Sequence, residues 1–273
     1  MPKCKTNDSI EINYIKEGEG EPLVLIAGFG TKLQSWQYQI DFFKDKMTVI
    51  AIDNRGCGES SRPDVKYTLD MYIDDIKHVL DDANITEKIH LCGISLGGML
   101  VQNFALKYQE VIKTLTLCAT VAYADATPIV STLDSMKHLD LESRLNAVIP
   151  MVFARAFRKR LKTEKGLLDE IKGDMMFITH MNNPPEEKDY YNQFGLAYDQ
   201  HDTRETIHTI MQPTLIMGGG KDRIIPVMAL EFLHTEIPDS KLVIFENFSH
   251  AFPISNPEDF NEELWEFISE NLN

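Results

Sequence analysis

Ser95 is the centre of the run Gly93-Ile94-Ser95-Leu96-Gly97, a G-x-S-x-G pattern. The spacing has a physical meaning where a strand turns abruptly into a helix. The central residue is then held in a strained backbone conformation, and side chains two places away on either side would collide. Such a turn holds a hydroxyl out at the sheet edge, above a helix N-terminus. There the Leu96 amide would face a developing oxyanion, and the helix dipole would favour its charge. A serine hydroxyl is a weak nucleophile alone; it needs a base, and the base needs a group to orient it. Asp222 and His250 are the candidates. Taken singly, each of these residues has a plain structural reading: a glycine-rich turn, a turn aspartate, a surface or core histidine. Their joint placement at element ends is what gives them meaning.

The elements that must position them can be read from apolar patterning. Residues 89–94 read as the end of a buried strand and 97–108 as a helix with an apolar face, the context the pattern requires. Residues 11–16 alternate like a strand. Residues 22–27 and 47–52 are near-continuous apolar runs, as expected of parallel strands covered on both faces. A helix is expected over 34–43, with Trp36, Ile40 and Phe43 on one stripe. Another is expected over 70–83, with Ile73, Ile76, Val79 and Leu80 turned inward. Residues 111–119, 213–218 and 241–245 read as further strands, and 226–233 and 257–272 as helices.

Strands alternating with helices over 22–119 predict a doubly wound, mostly parallel sheet. Sites in such sheets lie at the carboxyl ends of strands. Gly28 to Gly30, Asp53 to Ser60, Ser95, Asp222 and His250 all follow strand ends. The pattern changes over 121–210, where helical periods appear at 151–161 and 167–179 and Asn182-Asn183-Pro184-Pro185 breaks them. Six of the twelve methionines lie between Met136 and Met211. This stretch is read as a helical cap, 121–210, inserted into a core domain formed by 1–120 and 211–273. Most of its methionines are expected simply to fill its own interior.

Composition narrows the classes. The 273 residues are 43% hydrophobic, and the formal charge is −15. That suits a soluble globular chain and argues against a nucleic-acid or anionic-membrane partner. No apolar run reaches the length of a membrane span, and the first eight residues lack the apolar core of a signal peptide, so a cytoplasmic location is expected. Cys4, Cys57, Cys92 and Cys118 form no C-x-x-C pair and are expected as buried, reduced thiols. The histidines show no metal-ligand spacing, so no metal site is expected. Monomer and homodimer are both left open.

The blocks LVLIAGFG, VIAIDNRGCGES, LCGISLGGMLVQ, PTLIMGGGKDRIIP and ENFSHAF together resemble the α/β-hydrolase superfamily. The order of serine, then acid, then histidine is that family's order. The likeness covers about 10–120 and 210–272. It looks closest to the capped branch containing carboxylesterases, 3-oxoadipate enol-lactonases and C–C bond hydrolases. The resemblance implies Ser95 as nucleophile, His250 as general base and acid, and Asp222 as its orienting carboxylate. It also implies a second oxyanion amide at Phe29, paired with that of Leu96. Two departures stand out. Ala27-Gly28 replaces the frequent His-Gly before the oxyanion residue, and Tyr108-Gln109-Glu110 replaces a usual Tyr-Pro-Glu step. Asp53 and Arg55 lie in the matching D-x-R-G-x-G-x-S block and are expected to brace the loop.

The expectation is therefore cofactor-free hydrolysis of a small ester or lactone through an acyl-enzyme. C–C bond hydrolysis, perhydrolysis and thioester or amide cleavage share the same triad. Haloalkane dehalogenation is disfavoured, because it needs a carboxylate where Ser95 stands. A ligand-binding receptor with vestigial chemistry and an interaction protein on an inactive fold are readings from other classes. Asp125 is a rival acid, and Arg155, Arg158, Lys159 and Arg160 form a basic cluster in the cap. A solvated helix face is its simplest reading.

Overall fold

A computed structural model describes residues 1–125, 127–171, 188, 191–193 and 200–272. Eight strands form one sheet in the order β1-β2-β4-β3-β5-β6-β7-β8. They are β1 (Lys3–Lys5), β2 (Glu11–Glu17), β3 (Pro22–Ile26), β4 (Thr48–Ile52), β5 (Ile89–Ile94), β6 (Ile112–Cys118), β7 (Thr214–Gly219) and β8 (Ser240–Phe245). From β3 onward every pairing is parallel, and β1 and β2 add antiparallel pairings at one edge. The chain passes from β3 outward to β4, then crosses back so that β5 lies on the other side of β3. The strand order thus reverses between β3 and β5, and the connections leaving these strands diverge to open a crevice at their carboxyl ends.

Helices cover both faces. On one face α2 (Leu69–Asp82) and α3 (Leu96–Lys107) pack on Val24, Ile26, Ile50 and Ile52. On the other, α1 (Gln37–Phe43) and the C-terminal helix Pro257–Glu270 pack on Leu23, Leu25, Val49 and Ala51. Alternate residues of one strand feed opposite cores, which is why these strands are apolar throughout rather than alternating. Trp36, Ile40, Phe43, Ile73, Ile76, Val79 and Leu80 are all buried, as their spacing requires.

Between β6 and β7 the described residues form α4 (Thr127–Met136), α5 (Leu141–Val152), α6 (Arg155–Thr163) and α7 (Leu167–Glu170). After β7 come α8 (Val227–Glu236), α9 (Phe252–Ser255) and α10, the Pro257–Glu270 helix. The single helix expected over 151–161 is two helices. Phe153 and Ala154 are extended between α5 and α6. The Val152 carbonyl, which a continuous helix would use internally, instead accepts the N–H of Ala251 at 3.0 Å. Tertiary docking thus overrides the helical period. The helix expected over 167–179 is present at 167–170, and its remainder and the break at Asn182 to Pro185 lie outside the described residues. No helix among the described residues is long and apolar enough to cross a membrane.

Candidate active site

Ser95 sits between β5 and α3 with φ 54° and ψ −116°, in the left-handed half of backbone space that serine rarely occupies. Its neighbours hold it there. A Cβ on Gly93 would lie 2.4 Å from the Gly97 carbonyl oxygen, and one on Gly97 2.3 Å from that of Ile26. The Ser95 N–H donates to the Cys118 carbonyl at 2.9 Å. The Ser95 carbonyl accepts from the Met99 N–H at 3.1 Å and from Thr120 Oγ1 at 2.9 Å. The strained residue is thus pinned by hydrogen bonds on both sides. Its side chain stands at the N-terminus of α3, where orphan amides and the dipole favour negative charge.

The loop after β3 closes against it. A Cβ on Gly28 would lie 3.6 Å from Ser95 Cβ, so the gap between this loop and the serine is about one carbon wide. Several groups fix this loop. Asn54 Nδ2 donates to the Ala27 carbonyl at 3.0 Å, Thr31 Oγ1 to the Gly28 carbonyl at 3.0 Å, and the Leu33 N–H to Asp53 Oδ1 at 2.7 Å. Asp53 also accepts from Asn13 Nδ2 and the Glu59 N–H. Burial pushes its carboxyl above the usual carboxylate range, against the pull of those donors. Arg55 is buried and grips Asp75 through two bonds of 2.7 Å. Asp53 and Arg55 therefore brace the loops, as their motif implied.

Asp222 and His250 come from adjacent strand ends that are stitched together. Gly220 N–H donates to the Phe245 carbonyl, Lys221 N–H to that of Phe248, and Ser249 Oγ to that of Lys221. A Cβ on Gly219 would lie 2.6 Å from the carbonyl oxygens of Phe248 and Ser249, so only glycine permits this approach. Asp222 Oδ1 accepts the N–H groups of Ile224 and Ile225 at 2.7 and 3.0 Å, and Oδ2 lies 2.8 Å from His250 Nδ1. The Asp222 side chain is 1% exposed and that of His250 12%. A ring that donates its Nδ1–H to this carboxylate and is not protonated on Nε2 has the lone pair a general base needs. Among the described residues no hydrogen bond joins Ser95 Oγ to His250. Such contacts tighten when substrate binds.

The other candidates fall elsewhere. Asp125 is exposed and caps the N–H of Thr127 at 2.8 Å. Arg160 pairs with Glu164 at 2.7 and 3.0 Å, and Arg155 and Lys159 are exposed. A cavity of 790 Å³ bordered by Ile149, Pro150, Arg155 and Arg158 lies within the inserted helices, and neither Ser95, Asp222 nor His250 borders it. Cys4, Cys57, Cys92 and Cys118 are buried, and none of them is in a disulfide. Among the described residues no cluster of three or more His, Cys, Asp or Glu side chains could hold a metal ion.

Two buried residues were not foreseen. Gln193 reaches from the inserted segment to the Gly30 N–H at 3.1 Å and to Cys57 Sγ at 3.1 Å. His201 spans Asn103 Nδ2 at 2.9 Å and the Val121 carbonyl at 2.8 Å, and burial lowers its ring to about 4. Neither has a sequence signal, because their partners are backbone groups and side chains about 80 to 160 residues away in the chain.

The helices between β6 and β7 meet the loops that carry Asp222 and His250 directly. Val152, Phe153, Phe157, Leu161 and Ile171 form one cluster with Ala251 and Ile254, and Ile224 packs against it. These contacts fall next to His250 and Asp222. The inserted segment is narrowed at its base, where Tyr123 bridges Asp202 and the Thr203 N–H donates to the Ala122 carbonyl at 2.8 Å.

Comparison with known proteins agrees with this architecture. The chain is 27% identical over 95% of its length to a 2-hydroxy-6-oxo-6-(2'-aminophenyl)hexa-2,4-dienoic acid hydrolase of Metapseudomonas resinovorans, covering 88% of that protein. It is 26% identical over 95% of its length to 3-oxoadipate enol-lactonase 2 of Acinetobacter baylyi, covering 93% of it. Its fold superposes on that of a thermophilic esterase from Thermogutta terrifontis with a TM-score of 0.86, at 24% identity, over 100% of this chain and 99% of the other. A family model for the alpha/beta hydrolase fold matches residues 21–257, a span that holds β3 to β8 and the loops bearing Ser95, Asp222 and His250, and the chain belongs to the α/β-hydrolase family.

Proposed function

We propose that this protein is a serine hydrolase that opens a small ester or lactone through an acyl-enzyme. The observation that carries the reading is the His250–Asp222 bond of 2.8 Å at the same sheet edge as a strained Ser95. In the mechanism, His250 Nε2 takes the Ser95 hydroxyl proton as Oγ attacks the substrate carbonyl. The tetrahedral oxyanion forms against the Phe29 and Leu96 amides. His250 then protonates the leaving alkoxide, the C–O bond breaks, and the acyl group stays on Ser95. A water, deprotonated by His250, attacks the acyl-enzyme through a second tetrahedral state, and as the C–Oγ bond breaks His250 returns that proton to Ser95 Oγ and the acid is freed. Asp222 holds the ring orientation and balances its charge while it is protonated. These steps require no cofactor. The inserted residues within 121–210 serve in this reading as a cap over the crevice, supported by their packing on Ala251 and Ile224. We place the protein in the cytoplasm.

C–C bond hydrolysis on the same residues is the second reading. It is favoured by the likeness to the Metapseudomonas hydrolase over 95% of the chain. The test is steady-state hydrolysis of p-nitrophenyl esters from acetate to decanoate, with Ser95→Ala alongside. Turnover is expected for the wild type, and Ser95→Ala is expected to lower kcat about a million-fold. The chain-length optimum sizes the acyl site. Absence of ester turnover with Ser95 still labelled by a fluorophosphonate would discard the esterase reading in favour of C–C cleavage or ligand binding.

A further inference from the structure

We propose that Gln193 is a positioning residue that links the inserted segment to the oxyanion loop; the inference rests on the acyl-transfer reading above. Gln193 is 2% exposed, and both ends of its amide are gripped. Its Oε1 accepts the Gly30 N–H at 3.1 Å, and its Nε2 donates to Cys57 Sγ at 3.1 Å. The orientation is fixed by chemistry. The Gly30 N–H can only donate, so it must meet the carbonyl end, which leaves the NH₂ end for the sulfur. A Cβ on Gly56 would lie 2.9 Å from the Tyr67 ring and 3.0 Å from Nε2, so the glycine leaves room for both side chains.

Gly30 has φ +63°, a conformation glycine enters and leaves at little cost. Its N–H lies in the peptide plane shared with Phe29, and that plane is rigid. That plane carries the Phe29 carbonyl, so Gln193 holds the C-terminal side of Phe29, while Thr31 at the Gly28 carbonyl holds the plane that carries the Phe29 N–H. The neighbouring anchors, Asn54, Thr31 and Asp53, hold the ends of the loop at Ala27, Gly28 and Leu33. Gln193 holds its middle. Ala27, two residues before Phe29, offers the loop no polar side chain of its own, and Gln193 brings one to Gly30 from the segment between β6 and β7.

The test uses Gln193→Met, which keeps length and volume and removes both hydrogen bonds. For p-nitrophenyl acetate we expect kcat to fall about ten- to a hundred-fold with KM changed less than about two-fold. The rate constant for phosphonylation of Ser95 by a fluorophosphonate should fall in the same proportion, because that step also builds charge on an oxygen held by the same amides. Cys57→Ala, which frees the far end of the amide, should cost less, and Gln193→Met with Cys57→Ala should be no slower than Gln193→Met alone. Wild-type kcat in Gln193→Met, with Ser95→Ala inactive, would overturn the role of Gln193 and leave the hydrolase reading standing. A raised KM with unchanged phosphonylation would likewise overturn it and place Gln193 in substrate binding. A wild-type protein whose Ser95 resists labelling would remove both readings.

Discussion

Asp222 is a residue whose two oxygens do different work. Oδ1 is committed to the backbone of Ile224 and Ile225, and Oδ2 to His250. Asp222→Asn separates the two. The carbonyl oxygen of asparagine can keep the backbone pair, but its NH₂ then faces His250 Nδ1. The ring must accept there and carry its proton on Nε2, the wrong tautomer for a base. We expect kcat to fall about ten-thousand-fold, with little change in melting temperature. Asp222→Ala also leaves two buried N–H groups unpaired, at about 1 to 3 kcal/mol each in stability. Measuring kcat and melting temperature for both variants checks this, and a near wild-type rate in Asp222→Asn would remove the carboxylate from the mechanism. The placement of Ser95, Asp222 and His250 at strand ends was legible in the sequence because each follows an apolar run or sits in a spaced glycine motif. Gln193 was not, because nothing in its own neighbourhood marks a side chain whose partners are Gly30 and Cys57.

At the scale of elements, apolar runs and periodicity anticipated β2 to β8 and the sheet-covering helices α1, α2, α3 and α10, since buried faces impose their period on sequence. They failed where an element is short or where a tertiary bond competes. β1 is Lys3–Lys5, with Cys4 inward between two exposed lysines, too short to show a period. The break between α5 and α6 is imposed by Ala251. His201 shows a further tertiary dependence, since it ties the strand exit at Val121 to α3 through Asn103. Its ring is lowered to about 4 by burial, whereas an unfolded chain titrates it near 6.5. Below pH 6.5 the unfolded state therefore takes the proton first, and stability is lost as pH falls toward 4. The loss should be roughly 2 to 3 kcal/mol by pH 4.5. Urea unfolding at pH 7.5 and 4.5 should show the wild type losing that much more than His201→Gln, whose amide offers one donor and one acceptor without titrating. Parallel losses in the two proteins would show that another group governs acid sensitivity.

At the scale of the whole molecule, the sheet and the inserted segment are joined in a way that lets them be separated. The eight strands of the sheet among the described residues lie outside the insertion, and β6 and β7 are hydrogen-bonded neighbours in register from Leu115 and Thr214. The two ends of the insertion already meet. Tyr123 bridges Asp202, Thr203 N–H reaches the Ala122 carbonyl, and His201 reaches that of Val121. Ile207 and Ile210, beyond this neck, pack in the same core as β3 and α3. Replacing 125–199 with a short Gly-Ser linker therefore closes a small loop between residues held together on both sides, at a cost that grows only slowly with loop length. We expect the trimmed protein to keep a cooperative thermal transition and a mixed helix and sheet circular dichroism spectrum. Its melting temperature should drop, because Ala251 and Ile254 lose the cover of Phe153 and Phe157. Ester turnover should fall at least about a hundred-fold if the insertion acts as the proposed cap, since the Gly30 N–H then loses its acceptor as well. A trimmed chain that does not fold would make the insertion part of the folding unit. One that folds and hydrolyses esters at the wild-type rate would take both the cap and Gln193 out of the mechanism.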